Sequence, residues 1–252
     1  MRMGPNVWQG ARNHDMDIKK TGSIWMKSPR ARAYIVRCVC ELLERAYGKP
    51  RFANPTDPVD DLVYIVVSNK TTPETARAVY ASLKLQFPTW DEVVDAREDD
   101  LKVLLLPAGL ATVKAQQLHA ALCRIRSDFG TIDLSRLEGE PEGNVQSYLK
   151  SLPGVSDKVA KCVMMYTLGA AVLPVDAHVH RVARRLGWTE RKRADQSHEE
   201  LEALVSPRRR YAFHVDCIAH GRSMCKPRDP DCTRCGVNRY CDYYNNVVRR
   251  EP

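Results

Sequence analysis

Leu152-Pro153-Gly154-Val155-Ser156-Asp157-Lys158 decides how this chain folds. Pro153 and Gly154 reverse the chain, and beyond them Val155, Val159, Cys162, Val163 and Tyr166 recur at helical spacing. Two helices joined by a tight hairpin are therefore expected here. The backbone N–H groups from Gly154 to Ser156 are left free at a helix start, where peptide dipoles favour an anion. Pro-Gly turns between helices are common, so the hairpin alone assigns no binding role.

Working outward, helical patterns fill the chain. Tyr34, Ile35, Cys38, Leu42 and Leu43 share one face of a helix that begins after Pro29 and ends near Gly48-Lys49-Pro50. Further helices are expected over residues 73–86, 98–106, 112–129, 142–152, 156–168, 177–186, 198–205 and 211–220, joined by short connections rich in Pro, Gly and Asp. The run Leu62-Val63-Tyr64-Ile65-Val66-Val67 has the composition of a buried strand, but the chain offers no second strand pattern for it to pair with. The fold class is all-α. Residues 1–28 mix Gly, Pro, Asn and both charge signs without periodicity, and read as a weakly ordered N-terminal arm.

With 252 residues and 44% apolar content, the chain can bury one sizeable core or two small ones without staples. Its nine cysteines therefore need another explanation. The number is odd, no segment has the pattern of a secretory signal, and no apolar stretch approaches the roughly 18 residues of a membrane span. A reducing setting without a membrane follows: cytoplasmic and nucleoid-associated in a prokaryote, nuclear in a eukaryote. Clustered thiols there more often hold metal than form disulfides. The net charge of +8 suggests a polyanionic partner, although a basic balance also serves solubility or binding to anionic lipid.

Three groups carry candidate chemistry. Lys158 lies just inside the helix after the hairpin, with a solvated helix lysine as its plain alternative. Asp176, eighteen residues later in Pro174-Val175-Asp176-Ala177-His178-Val179-His180-Arg181, would equally serve as an N-cap. Cys225, Cys232, Cys235 and Cys241, separated by six, two and five residues, can hold a tetrahedral zinc or a [4Fe-4S] cluster. Lys226, Arg228, Arg234 and Arg239 lie within this loop and would present positive charge to phosphates. The other five cysteines sit among apolar residues as ordinary core thiols.

Together these residues resemble the endonuclease III family of DNA glycosylases, over roughly residues 29–244. Leu152 to Lys158 matches the family's hairpin pattern. Val175, Asp176, His178, Arg181 and Val182 match its Val-Asp-x-His-x-x-Arg-Val pattern, and His220-Gly221-Arg222 leads into a cysteine loop of the family's spacing.

The resemblance implies two helical lobes flanking a DNA-binding cleft: a six-helix lobe at 51–170 and a cluster lobe made of 29–50 with 171–252. It implies a monomeric bifunctional glycosylase and AP lyase acting on double-stranded DNA that contains a damaged or modified base. Lys158 would attack the sugar C1′ and form a Schiff base, and Asp176 would stabilise the cationic sugar across the cleft. An ordinary lysine is almost wholly charged at pH 7, so this amine would need desolvation or positive neighbours, with Arg181, Arg184 and Arg185 as candidates. The four cysteines would carry the [4Fe-4S] cluster.

The resemblance extends to DNA contacts at Lys70, Leu110, Gly154, Ser156 and His178, Leu110 being the wedge that fills the gap left by an extruded base. This chain has Ser68-Asn69-Lys70 where the family usually carries a glutamine-containing loop, and a lysine cannot offer an amide's donor and acceptor pair. Ser156 stands where glycine is usual, and Asp157 where a basic residue is frequent. Oxidised pyrimidines are the first expected substrate. A 5-methylcytosine or mismatch-thymine glycosylase on the same scaffold is the alternative, and a DNA-binding module without catalysis is the reading from another class.

Overall fold

A computed structural model describes residues 28–52 and 54–250. The expected N-terminal arm lies outside the described residues, apart from Ser28. All regular structure among the described residues is helical: α1 Pro29–Tyr47, α2 Pro58–Ser68, α3 Pro73–Gln86, α4 Trp90–Asp95, α5 Glu98–Leu105, α6 Ala111–Phe129, α7 Glu142–Ser151, α8 Asp157–Tyr166, α9 Ala177–Leu186, α10 His198–Leu204, α11 Pro207–Ser223 and α12 Asp242–Asn246.

Local chemistry explains where these helices begin. Pro29, Pro58, Pro73 and Pro207 open α1, α2, α3 and α11, where a missing N–H costs nothing. Asp57 Oδ1 accepts from the N–H groups of Val59 and Asp60, both at 2.9 Å, and Thr72 Oγ1 accepts from Thr75 N–H at 3.2 Å. The chain leaves α1 and α6 through Gly48 and Gly130, each in the left-handed region.

The described residues divide into two compact units, one built from 28–52 with 171–250, the other from 54–170. In the second unit, α2 packs against α3, α6 and α8, so its apolar run Leu62 to Val67 is buried on every side. A helix covered all round loses the polar stripe that marks helical periodicity, which is why this run has the composition of a strand. In the first unit, α11 packs against α1 and α9. Val39, Leu43, Val179, Val182 and Phe213 form the centre of its core, with Trp188 stacked on Phe213 at 5.3 Å.

Two of the three arginines at the start of α11 are structural. Arg209 donates to Glu41 at 2.8 Å, while Arg210 reaches the carbonyls of Val205 and Glu202 at 3.0 and 2.7 Å. No described helix is long and apolar enough to cross a membrane.

Candidate active site

The hairpin forms as its sequence dictates. Leu152 N–H bonds to Leu149 O at 3.2 Å as α7 ends, and Val155 N–H returns to Leu152 O at 3.1 Å. Gly154 is left-handed at φ +78°, and a Cβ there would stand 2.6 Å from three carbons of the Gln117 side chain. Position 154 thus requires glycine for two independent reasons. Ser156 Oγ accepts from Val159 N–H at 3.4 Å and caps α8. Asp157 is engaged by Lys150 at 2.8 Å and Gln146 at 3.0 Å, so much of its repulsion toward a phosphate is offset locally.

Lys158 is half-buried, and its Nζ donates to Asn69 Oδ1 at 3.5 Å. Asn69 ends α2, and the next residue, Lys70, is left-handed at φ 57°. Nothing in its residue type marks Asn69 as the partner of Lys158. The only signal was its position inside the departing loop, beside Lys70. Leu110 is left-handed at φ 53° and 54% exposed, an apolar side chain held out at the mouth of α6.

Asp176 belongs to the other unit. Its Oδ1 accepts from the N–H groups of His178 and Val179, both at 2.8 Å, so it does N-cap α9. The cap fixes the carboxylate's orientation and leaves its second oxygen outside the capping bonds. His178 receives an N–H from Arg181 at its Nδ1, 3.1 Å away. Burial lowers the His178 pKa, and Arg181 and Arg222 add to this against the pull of Asp176. Gly221 lies so close that a Cβ would come within 2.6 Å of His178 Nδ1, which accounts for the glycine in His220-Gly221-Arg222.

Arg181 and Arg185 are committed to the cysteine loop. Arg181 Nε donates to Cys225 O at 2.8 Å and its Nη2 to Gly221 O at 2.8 Å. Arg185 Nη1 donates to Cys225 Sγ at 3.2 Å and Lys226 O at 2.7 Å. Two of the three candidate neighbours of the Lys158 amine, Arg181 and Arg185, are thus engaged within the first unit.

All four cysteines, with His220, Arg185 and Tyr243, line one cavity of that unit. His220 is buried and its pKa is pushed down to about 4, chiefly by burial and also by Arg181 and Arg185, so the ring is neutral. Tyr47 Oη bonds to its Nδ1 at 2.9 Å, and Nε2 lies 3.7 Å from Cys235 Sγ. With Tyr47 donating, the Nε2–H faces the sulfur. Among the described residues no group of three or more His, Cys, Asp or Glu side chains converges as a single metal ion requires. The four thiols share the wall of this one cavity without meeting at a single point.

Comparison with known proteins identifies the class. Residues 63–207 match the family model of the HhH-GPD superfamily base excision DNA repair proteins. An endonuclease III of Rickettsia felis is 30% identical over 187 residues, covering 74% of this chain and 84% of that protein. A thymine-DNA glycosylase of Aeropyrum pernix is 28% identical over 211 residues, covering 80% and 91%. A solved non-covalent complex of endonuclease III with DNA has the same fold, with a TM-score of 0.76, 22% identity, and coverage of 86% of this chain and 99% of that one. The chain belongs to the endonuclease III family of the helix-hairpin-helix base-excision glycosylases, and it is an enzyme of that class.

Proposed function

We propose that this protein is a bifunctional DNA glycosylase and AP lyase that binds duplex DNA and removes an oxidised pyrimidine, with Lys158 as nucleophile and Asp176 as electrostatic partner. The observation that carries this reading is the half-buried Lys158 amine, set one residue inside the hairpin helix with its Nζ on the Asn69 amide oxygen. The amine forms a bond to C1′ as the C1′–base bond breaks and the base departs with its electron pair. Opening of the sugar ring gives the Schiff base, and loss of a C2′ proton then expels the 3′ phosphate. Asp176, oriented by its two backbone donors, stabilises the positive sugar.

The [4Fe-4S] cluster belongs to the same proposal. Cys225, Cys232, Cys235 and Cys241 would hold it, and when bound it would fix the loop that carries Lys226 and Arg228. The shared cavity, Arg185 on Cys225 Sγ and His220 beside Cys235 support that assignment.

A mismatch-thymine substrate is the second reading. It is favoured by the thymine-DNA glycosylase relative and by Asn69-Lys70 in the loop where the family usually carries a glutamine. Incubation with duplexes carrying thymine glycol, a G:T mismatch, 5-methylcytosine or an abasic site, followed by borohydride trapping, separates the readings. Lys158→Gln is expected to abolish trapping and strand cleavage. Asp176→Asn should slow base release by about 10²–10³-fold, with binding retained. A wild-type protein that nicks not even the abasic duplex is a binding module, and a trapped complex surviving in Lys158→Gln removes Lys158 from its role.

A further inference from the structure

Lys114 is a buried cation that the proposed chemistry leaves unused. It lies in the first turn of α6 and is only 3% exposed. Its Nζ donates to Val67 O at 2.7 Å and to Ala108 O at 2.9 Å, and it makes no ion pair among the described residues. Burial lowers its pKa, so the protein bears the cost of desolvating a charge that a methionine of similar shape would avoid. The two carbonyls suggest what that cost secures. Val67 O lies in the last turn of α2, three residues before Lys70, where a helix carbonyl lacks an intrahelical partner. Ala108 O ends the short 3-10 turn Leu106–Ala108, two residues before Leu110.

Lys70 and Leu110 are two of only four non-glycine residues with positive φ among the described residues. Such backbone persists where its surroundings over-determine it. A single ammonium joins the chain segments that deliver both, and the backbone N–H of Lys114 also bonds Leu110 O at 2.9 Å.

We infer that Lys114 is a positioning residue, tying the Asn69-Lys70 loop to the Gly109-Leu110 loop so that both enter the duplex in fixed register around an extruded base. This rests on the proposed function for the identity of the ligand, but it concerns distortion of DNA and not bond cleavage. Without the tie, Leu110 and Lys70 would sample other conformations, and the wedge would pay its ordering cost on every encounter.

The test uses a duplex with a non-cleavable abasic analogue opposite 2-aminopurine, whose fluorescence rises when the base is unstacked. Wild-type protein should raise the signal. Lys114→Met should lose most of that rise while affinity for undamaged duplex stays unchanged, and the single-turnover excision rate should fall by about a hundredfold. Combined with Leu110→Ala, the two losses should add to less than their sum, because both act through the same wedge. If Lys114→Met does not fold, Lys114→Gln carries the same comparison.

Additive losses, or equal loss of specific and undamaged binding, would assign Lys114 to general stability and overturn the inference. Absence of excision and nicking by the wild type, with a Lys114-dependent fluorescence rise intact, would overturn the enzymatic reading and leave this one standing.

Discussion

Asp61 faces into the second unit from α2 with none of its surface exposed. Asn54 Nδ2 reaches its Oδ1 at 2.6 Å, while Oδ2 is buried without a hydrogen-bond partner among the described residues. Burial pushes its carboxyl from an ordinary 3.8 up to about 7, against the opposing pull of Asn54 and of the Lys158 charge. Because the folded state holds this proton more tightly than the unfolded chain, stability is greatest below about pH 4 for this group and falls as the pH climbs through 7. Asp216 in the first unit behaves alike, raised to about 6 by burial with Lys49 N–H on one oxygen. Asp61→Asn should therefore flatten the decline in melting temperature between pH 5 and pH 8 and raise stability at pH 8, by on the order of 2–4 kcal/mol at most. Thermal melts of both proteins at the two pH values check this, and an equal loss at both would show that the carboxylate is not the cause. At this scale legibility was uneven. The capping alternative for Asp176 could be read from its place before α9, whereas nothing in Asp57-Pro58-Val59-Asp60-Asp61 says which aspartate turns inward.

At the scale of elements, the hairpin depends on its glycine. Gly154→Ala combines a left-handed alanine with a contact onto Gln117 carbons, one of them the Cβ that α6 holds in place. Strain and overpacking each cost about 1–3 kcal/mol, so a melting temperature lower by several degrees and a weakened grip on duplex DNA are expected. Unchanged melting with unchanged affinity would mean that α6 gives way freely. The bounds of α3 and α9 are those the periodicity predicts, since each has a clean cap and a clean apolar face. α4 is invisible to periodicity because it is only six residues long. Its signal was present as Thr89 and Glu92, which bond each other at 3.0 Å while Thr89 Oγ1 accepts from Glu92 N–H. α11 starts four residues before the expected Tyr211, because Pro207-Arg208-Arg209-Arg210 reads as a solvated cationic run. Only tertiary structure supplies the glutamates and carbonyls that absorb Arg209 and Arg210.

Across the whole molecule, the net charge of +8 does not translate into eight free phosphate contacts. Arg181, Arg185, Arg209 and Arg210 are spent on carbonyls, a thiol and glutamates, and Arg234 pairs with Asp231 at 3.1 Å. Those five cations serve the protein itself, and the salt dependence of binding should count the ones that meet DNA. Each phosphate neutralised lowers log K by about 0.9 per decade of salt, so four contacts predict roughly a hundredfold weaker affinity at 200 mM than at 50 mM salt. Fluorescence anisotropy titrations of an abasic-analogue duplex at several salt concentrations give the slope directly. Lys70→Ala should reduce that slope by about one unit if its ammonium meets a phosphate. A slope near zero would mean that the positive charge serves the protein's own architecture and that the duplex is held by base and sugar contacts alone.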